Sequence, residues 1–238
     1  MTETENRFRV RLAGKVFGVT CLYENTRRFC KGYLTDAAPD FSVTVMQDDI
    51  DQERARTGST AEDRRLEPIA LHRKICTLAA GAGVMMIHGA AIAENGKAHL
   101  FIAPSGTGKT THIRLWKENF PGISWINGDK PMITVADGVA FAHGTPWAGK
   151  ERYQTDTAAP LDAIVLLRRG ETNRIRRITA AEALPGVYAA VYRPDDRAAA
   201  EAVVRLFEKL MRAAPCYVLE CNMDKEAALV AREGLHAD

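Results

Sequence analysis

Apolar and polar side chains alternate at Phe8, Val10 and Leu12 and again at Phe41, Val43 and Val45, a period of two that predicts half-buried strands. Gly14-Lys15, Glu24-Asn25 and Ala38-Pro39 punctuate this region as turns. Residues 47–58 are charged and only weakly periodic, and read as a connector with at most a helical turn. Ser59 with Glu62, and Thr60 with Asp63, fit the pattern of a capped helix start, while Pro68 suits the first position of a renewed helix rather than an interior one. Leu71, Ile75, Leu78 and Ala79 then fall on one helical stripe that Gly81 ends.

The central pattern changes to apolar runs, 84–87 and 98–103, flanking Asn95-Gly96, a strong hairpin signal. Residues 104–111 follow the second run and lead into a helix with Ile113, Trp116 and Phe120 on one face, stopped by Pro121-Gly122. Trp116 and Phe120 are spaced as core rather than as a platform for a base. A short strand at 123–126 ends at Asn127-Gly128-Asp129, and a second hairpin, 132–136 with 139–143, turns at Asp137-Gly138. Residues 162–168 read as a buried strand with 173–178 as its partner. Thr179 with Glu182 is a capping box, 195–212 is an amphipathic helix, 216–221 a last strand and 224–232 a last helix.

The 238 residues allow one large domain or a core with an appendage. A net charge of +2 argues against a nucleic-acid binder, which needs a basic face. No apolar stretch approaches the roughly 20 residues of a membrane span, and the first residues lack the apolar core of a signal peptide. Five cysteines without CxxC spacing indicate neither a disulfide framework nor a zinc site, and His72, His99, His112, His143 and His236 show no metal-ligand spacing. The expectation is a reduced, cytoplasmic protein with no nucleic-acid or membrane partner.

Chemistry concentrates in Ser105, Gly106, Thr107, Gly108, Lys109, Thr110 and Thr111. Glycines let backbone N–H groups curl toward phosphate, and the following helix adds its positive N-terminus. Lys109 suits the β and γ oxygens of a nucleoside triphosphate, and the Thr110 hydroxyl suits Mg²⁺. The consensus GxxxxGK[ST] starts with glycine, where this chain has Ala103, yet a strand precedes the loop and a helix follows it. A phosphate loop needs an acidic partner at the end of a strand, and Asp129 fits, with a plain turn residue as the alternative.

His88-Gly89 before the loop, the Ser-Gly-Thr-Gly-Lys-Thr loop and Gly128-Asp129 after it occur in that order, and on these motifs the span of roughly 80–180 resembles the HPr kinase/phosphorylase family, related to ATP-dependent phosphoenolpyruvate carboxykinase. The resemblance is closest to the smaller HPr-kinase-like proteins. It implies an α/β P-loop core of that type, placed at 81–238. The alternating pattern before it reads as a small β-rich N-terminal domain with a connecting helix at 1–80, expected to contribute to acceptor choice because it lies outside the catalytic segment. The resemblance implies ATP and Mg²⁺ on Lys109 and Thr110, Asp129 as metal ligand and as the base for a hydroxyl, and His88 as a contributor. Lys130 stands where a second carboxylate is usual, which weighs against two-carboxylate metal binding and the phosphate-releasing reaction.

The expected activity is a phosphotransferase acting on a hydroxyl, serine above all, in a peptide, protein or small metabolite. The alternative, favoured by Lys130, is a nucleotide-dependent binding or regulatory module without transfer. Within 144–153, Glu151 is a candidate second ligand and Lys150 and Arg152 candidate phosphate or acceptor contacts, against a solvated surface loop. Arg169, from the basic set 168–177, is a further candidate contact, against a solvated strand face.

Overall fold

The computed structural model describes residues 6–237. Among them a three-stranded sheet joins β1 (Asn6–Leu12), β2 (Lys15–Cys21) and β3 (Phe41–Thr44), with β1 antiparallel and β3 parallel to β2. Helices α1 (Glu24–Phe29), α2 (Gln47–Thr57) and α3 (Asp63–Gly81) pack with it and occupy more of this region than its strands, so the expected β-rich character is corrected to a mixed one.

Two expectations fail here for physical reasons. The segment read as a connector is the eleven-residue helix α2. Its one buried apolar anchor is Ile50, and polar contacts supply the rest. Asp49 Oδ2 accepts from the Met46 N–H at 2.8 Å, and buried Glu53 takes both arms of the Arg73 guanidinium at 2.8 and 3.0 Å. Pro68 lies inside α3, not at its start, and no side-chain cap from Ser59 or Thr60 forms. An interior proline leaves the carbonyl four residues back without its donor. Here that carbonyl, of Arg64, accepts from Asn25 Nδ2 at 3.0 Å.

The second sheet has nine strands. β4 (Val84–Met86), β8 (Met132–Ala136), β9 (Val139–His143), β10 (Ala158–Arg169), β6 (Lys97–Ile102), β5 (Ala90–Glu94) and β7 (Ser124–Asn127) follow in that spatial order. β12 (Cys216–Cys221) runs parallel to β10, and β11 (Arg174–Ile178) is antiparallel to β12. The expected pairing of 173–178 with 162–168 is therefore corrected: β12, arriving from much later in the chain, separates them. The Asn95-Gly96 turn joins β5 to β6, whereas β4 crosses to pair with β8. Both turn pairs, Asn95-Gly96 and Asp137-Gly138, have positive φ throughout, as the tight hairpin turn requires.

Helices α5 (Ala180–Ala190) and α6 (Arg197–Ala213) pack over Leu100, Ile102, Ile164 and Leu166 on one face of this sheet. Helices α4 (Lys109–Asn119) and α7 (Glu226–His236) pack over Phe101, Ala163, Val165 and Leu167 on the other. Burial on both faces explains why β10 reads as a continuous apolar run. The Thr179 capping box forms as expected, with Thr179 Oγ1 accepting from the Glu182 N–H. A third cluster unites the small sheet and α3 with Met86, Met132 and Trp147, so packing is continuous across residue 80. Trp147 Nε1 donates to the Pro68 carbonyl at 2.8 Å, and the Tyr33 hydroxyl to the Thr155 carbonyl at 3.2 Å. No helix among the described residues is long and apolar enough to cross a membrane.

Candidate functional site

β6 delivers the chain to the 103–108 turn, and α4 begins at Lys109. Gly106 and Gly108 have φ of 76° and 123°, conformations that side-chain-bearing residues rarely adopt, and a Cβ at either would meet open space. Backbone geometry, not crowding, is what calls for glycine there. No side-chain hydrogen bond caps the N-terminus of α4, whose first N–H groups lack intrahelical acceptors. Lys109 is largely buried and folds back on the turn, with Nζ 2.8 Å from the Ala103 carbonyl and 3.4 Å from that of Pro104. Burial pushes its ammonium below the ordinary lysine range, while the charge of Asp129 opposes the shift. Thr110 and Thr111 are half-buried on the first turn, and Ser105 is exposed.

β7 ends at Asn127, and the next turn carries Asp129. Asn127, fully buried, accepts through Oδ1 from the N–H groups of Asp129 at 2.9 Å and Lys130 at 2.6 Å. Its Nδ2 donates to the Thr145 carbonyl and hydroxyl at 2.9 and 3.0 Å, and Thr145 Oγ1 donates to the Lys130 carbonyl at 2.8 Å. This buried lattice fixes the acidic turn against the 144–148 segment. His88 Nε2 stands 3.2 Å from Asp129 Oδ1, and Lys130 Nζ donates to Asp129 Oδ2. Gly89 N–H donates to the Asp129 carbonyl at 3.0 Å, and a Cβ on Gly89 would approach the Phe101 carbonyl to 3.0 Å and Leu100 Cδ1 to 2.9 Å. Only glycine lets the His88 segment lie this close to β6.

Burial alone would raise the Asp129 carboxyl. The hydrogen bonds from His88 and Lys130, with the Lys130 and His88 charges, outweigh it and hold it down to about 2. Asp129 is therefore an anion at any ordinary pH. The space beside Gly149 is bordered by Asp129 Cβ at 3.5 Å and Glu151 Oε2 at 3.8 Å, which brings Glu151 into the neighbourhood of Asp129. Lys150 is exposed. The Arg152 guanidinium sits over the Phe29 ring at 5.9 Å, turned toward α1. Arg169 Nη2 donates to the Gly106 carbonyl at 2.6 Å, so this arginine lies directly on the glycine turn.

Three concavities border the turn. One, of about 500 Å³, has His88, Ala103, Pro104 and Arg168 at its rim and Gly186 and Ala190 of α5 behind. Another, of about 480 Å³, lies over Ser105, Gly106, Thr107 and Arg169. The third, of about 350 Å³, runs between Thr111 and Leu115 of α4 and Asn222 and Met223 after β12.

The structure thus sets His88 against Asp129, with Lys109 within electrostatic reach of that carboxylate, Glu151 near it and Arg169 on the loop. Asn127 and Thr145 were not singled out from the sequence. The Asn-Gly-Asp triplet was the available signal for Asn127, because an asparagine side chain often accepts from the backbone two residues on.

No family model matches the chain, and no curated protein matches it. Among solved structures it is similar to the HPr(Ser) kinase/phosphatase from Coxiella burnetii, at a TM-score of 0.40 and 8% identity, over 64% of this chain and 88% of that one. The likeness is a distant one.

Proposed function

We propose that the protein is an ATP-dependent kinase that transfers a γ-phosphoryl group to a hydroxyl of the serine type in a peptide, protein or small metabolite. The observation that carries this reading is a carboxylate ionised at neutral pH, Asp129, held against His88 and within electrostatic reach of a lysine on a glycine turn. Phosphoryl transfer asks for positioning and charge stabilisation more than for covalent chemistry. Lys109 would exchange the carbonyls of Ala103 and Pro104 for phosphate oxygens, and the first N–H groups of α4 would receive the same anion. Arg169 is placed to do likewise from β10. Asp129, aligned by His88, would orient the accepting hydroxyl and take its proton.

The oxygen donors of Thr110 and Asp129 suit Mg²⁺, which prefers such ligands and would neutralise charge on the transferring phosphates. Glu151 is the further carboxylate within that neighbourhood. The cavity beside His88 and Arg168 is the natural seat for the acceptor.

The Lys130–Asp129 ion pair favours a second reading, a nucleotide-responsive module without transfer, because it occupies the oxygen an acceptor would need. Incubation with Mg²⁺, γ-labelled ATP and a panel of hydroxyl peptides and metabolites separates the two. Label on an acceptor supports the kinase, nucleotide uptake by calorimetry without transfer supports the module, and no uptake overturns both.

A further inference from the structure

At the opposite end of β6 from the glycine turn, three side chains from distant parts of the sequence converge. Glu94 closes β5, His99 follows on β6, and His236 is the last residue of α7. One ligand atom from each lies within 4.8 Å of the others. His236 Nε2 is 3.1 Å and His99 Nε2 3.9 Å from Glu94 Oε2. We propose that Glu94, His99 and His236 form a site for a divalent transition-metal cation of the zinc type, which fastens α7 to the β5–β6 hairpin.

One orphaned polar atom points to a missing ligand. Glu94 is 5% exposed, yet its Oε2 accepts no hydrogen bond, although the Nε2 atoms of His236 and His99 stand before it. A buried carboxylate oxygen is costly when nothing compensates it. The other oxygen, Oε1, is fully engaged, since Arg232 Nε donates to it at 2.6 Å and the guanidinium packs over the Phe120 ring at 4.7 Å. That arrangement fixes the carboxylate and leaves Oε2 aimed at the two imidazoles, as partners behind a ligand do at metal sites. Lys97, the nearest lysine in sequence, is drawn away to Asp162 at 2.9 Å.

Two imidazoles and one carboxylate make an N, N, O donor set suited to zinc rather than to Mg²⁺ or Ca²⁺. With bonds of about 2.0–2.1 Å, tetrahedral ligand atoms stand roughly 3.3 Å apart; the His236–Glu94 separation of 3.1 Å matches this, and His99, at 3.9 Å from Glu94 Oε2, would draw in on binding. His236 is half-exposed and gives the ion a way in, and the fourth position falls to water. Sequence spacing hides the site because one ligand lies on the last helix.

The test is calorimetric titration of the tag-free, EDTA-stripped full chain with ZnCl₂, followed by thermal unfolding. One equivalent should bind at micromolar concentration or tighter, with Tm rising by about 5–10 °C at ~100-fold excess over Kd. His236→Ala alters an exposed end and should still fold, with its metal-free Tm lowered by no more than the lost Glu94 contact, while weakening zinc binding by at least tenfold. Glu94→Gln should do the same to affinity, and its metal-free circular dichroism reports whether it folds. Absence of uptake, or equal uptake in His236→Ala, would overturn the proposal and leave His236 as a simple ion-pair partner of Glu94.

Discussion

His88 and Asp129 meet with Nε2 of the imidazole 3.2 Å from Oδ1 of the carboxylate, while Lys130 closes on the other oxygen. The carboxylate is thus aligned by one neighbour and guarded by the next. Asp129→Asn keeps the shape and removes the charge. In the kinase reading it should lower kcat by roughly 10²–10⁴-fold, the usual worth of a positioned base, with a far smaller change in the calorimetric affinity for Mg·ATP. A parallel loss of affinity would mean that Asp129 serves binding rather than transfer.

The same pair predicts an acid dependence of stability. The folded Asp129 carboxyl titrates near 2 and the unfolded one near the ordinary aspartate value of 3.8, so the stabilisation is present above about pH 4 and is lost as pH falls toward 2. Its size is on the order of 2 kcal/mol. Urea unfolding at pH 5 and pH 2.5 should show a smaller acid loss in Asp129→Asn than in the natural chain. Lys130→Ala removes one of the two donors and should move the Asp129 titration upward.

Buried histidines set a second window. Burial lowers His72 and His112 to about 3 and His99 and His143 to about 4. Above pH 6.5 both states are neutral and these groups add no pH dependence. Below it the unfolded chain takes up protons that the folded one refuses, and stability falls until the folded values are reached. Trp116 Nε1 donates to His112 Nε2 at 3.0 Å, a role glutamine can fill. His112→Gln should therefore flatten the loss between pH 6.5 and 4 by up to about 1.4 kcal/mol per pH unit, measured by urea midpoints.

Asn127 holds the acidic turn through a side chain with no exposure to solvent. Asn127→Ala leaves the Asp129 and Lys130 N–H groups without their acceptor and should cost at least about 2 kcal/mol in chemical unfolding. Transfer activity should fall with it, since the His88–Asp129 geometry depends on that turn.

Local signals carried much of the fold. Asn95-Gly96, Asp137-Gly138 and the Thr179–Glu182 box act over a few residues and appear where their sequences place them. Helix α2 was illegible because its stability lies in Glu53 and Asp49, whose partners Arg73 and Lys74 come from α3, and not in an apolar stripe. Pro68 misled because its compensation, Asn25, is remote in sequence. The pairing of β11 with β12 is likewise a long-range choice. At the site, Lys109 and Asp129 were visible through a motif, but Asn127 with Thr145 is a buried polar pairing that leaves no periodic trace.

The indole–proline hydrogen bond between Trp147 and Pro68 has a mechanical meaning. The segment that carries Glu151 past Asp129 hangs from the first helical turns of α3, and Tyr33 pins its far end at Thr155. Anything that docks on the small sheet and tilts α3 would tug this strap, and so alter the setting of the carboxylates without touching a nucleotide.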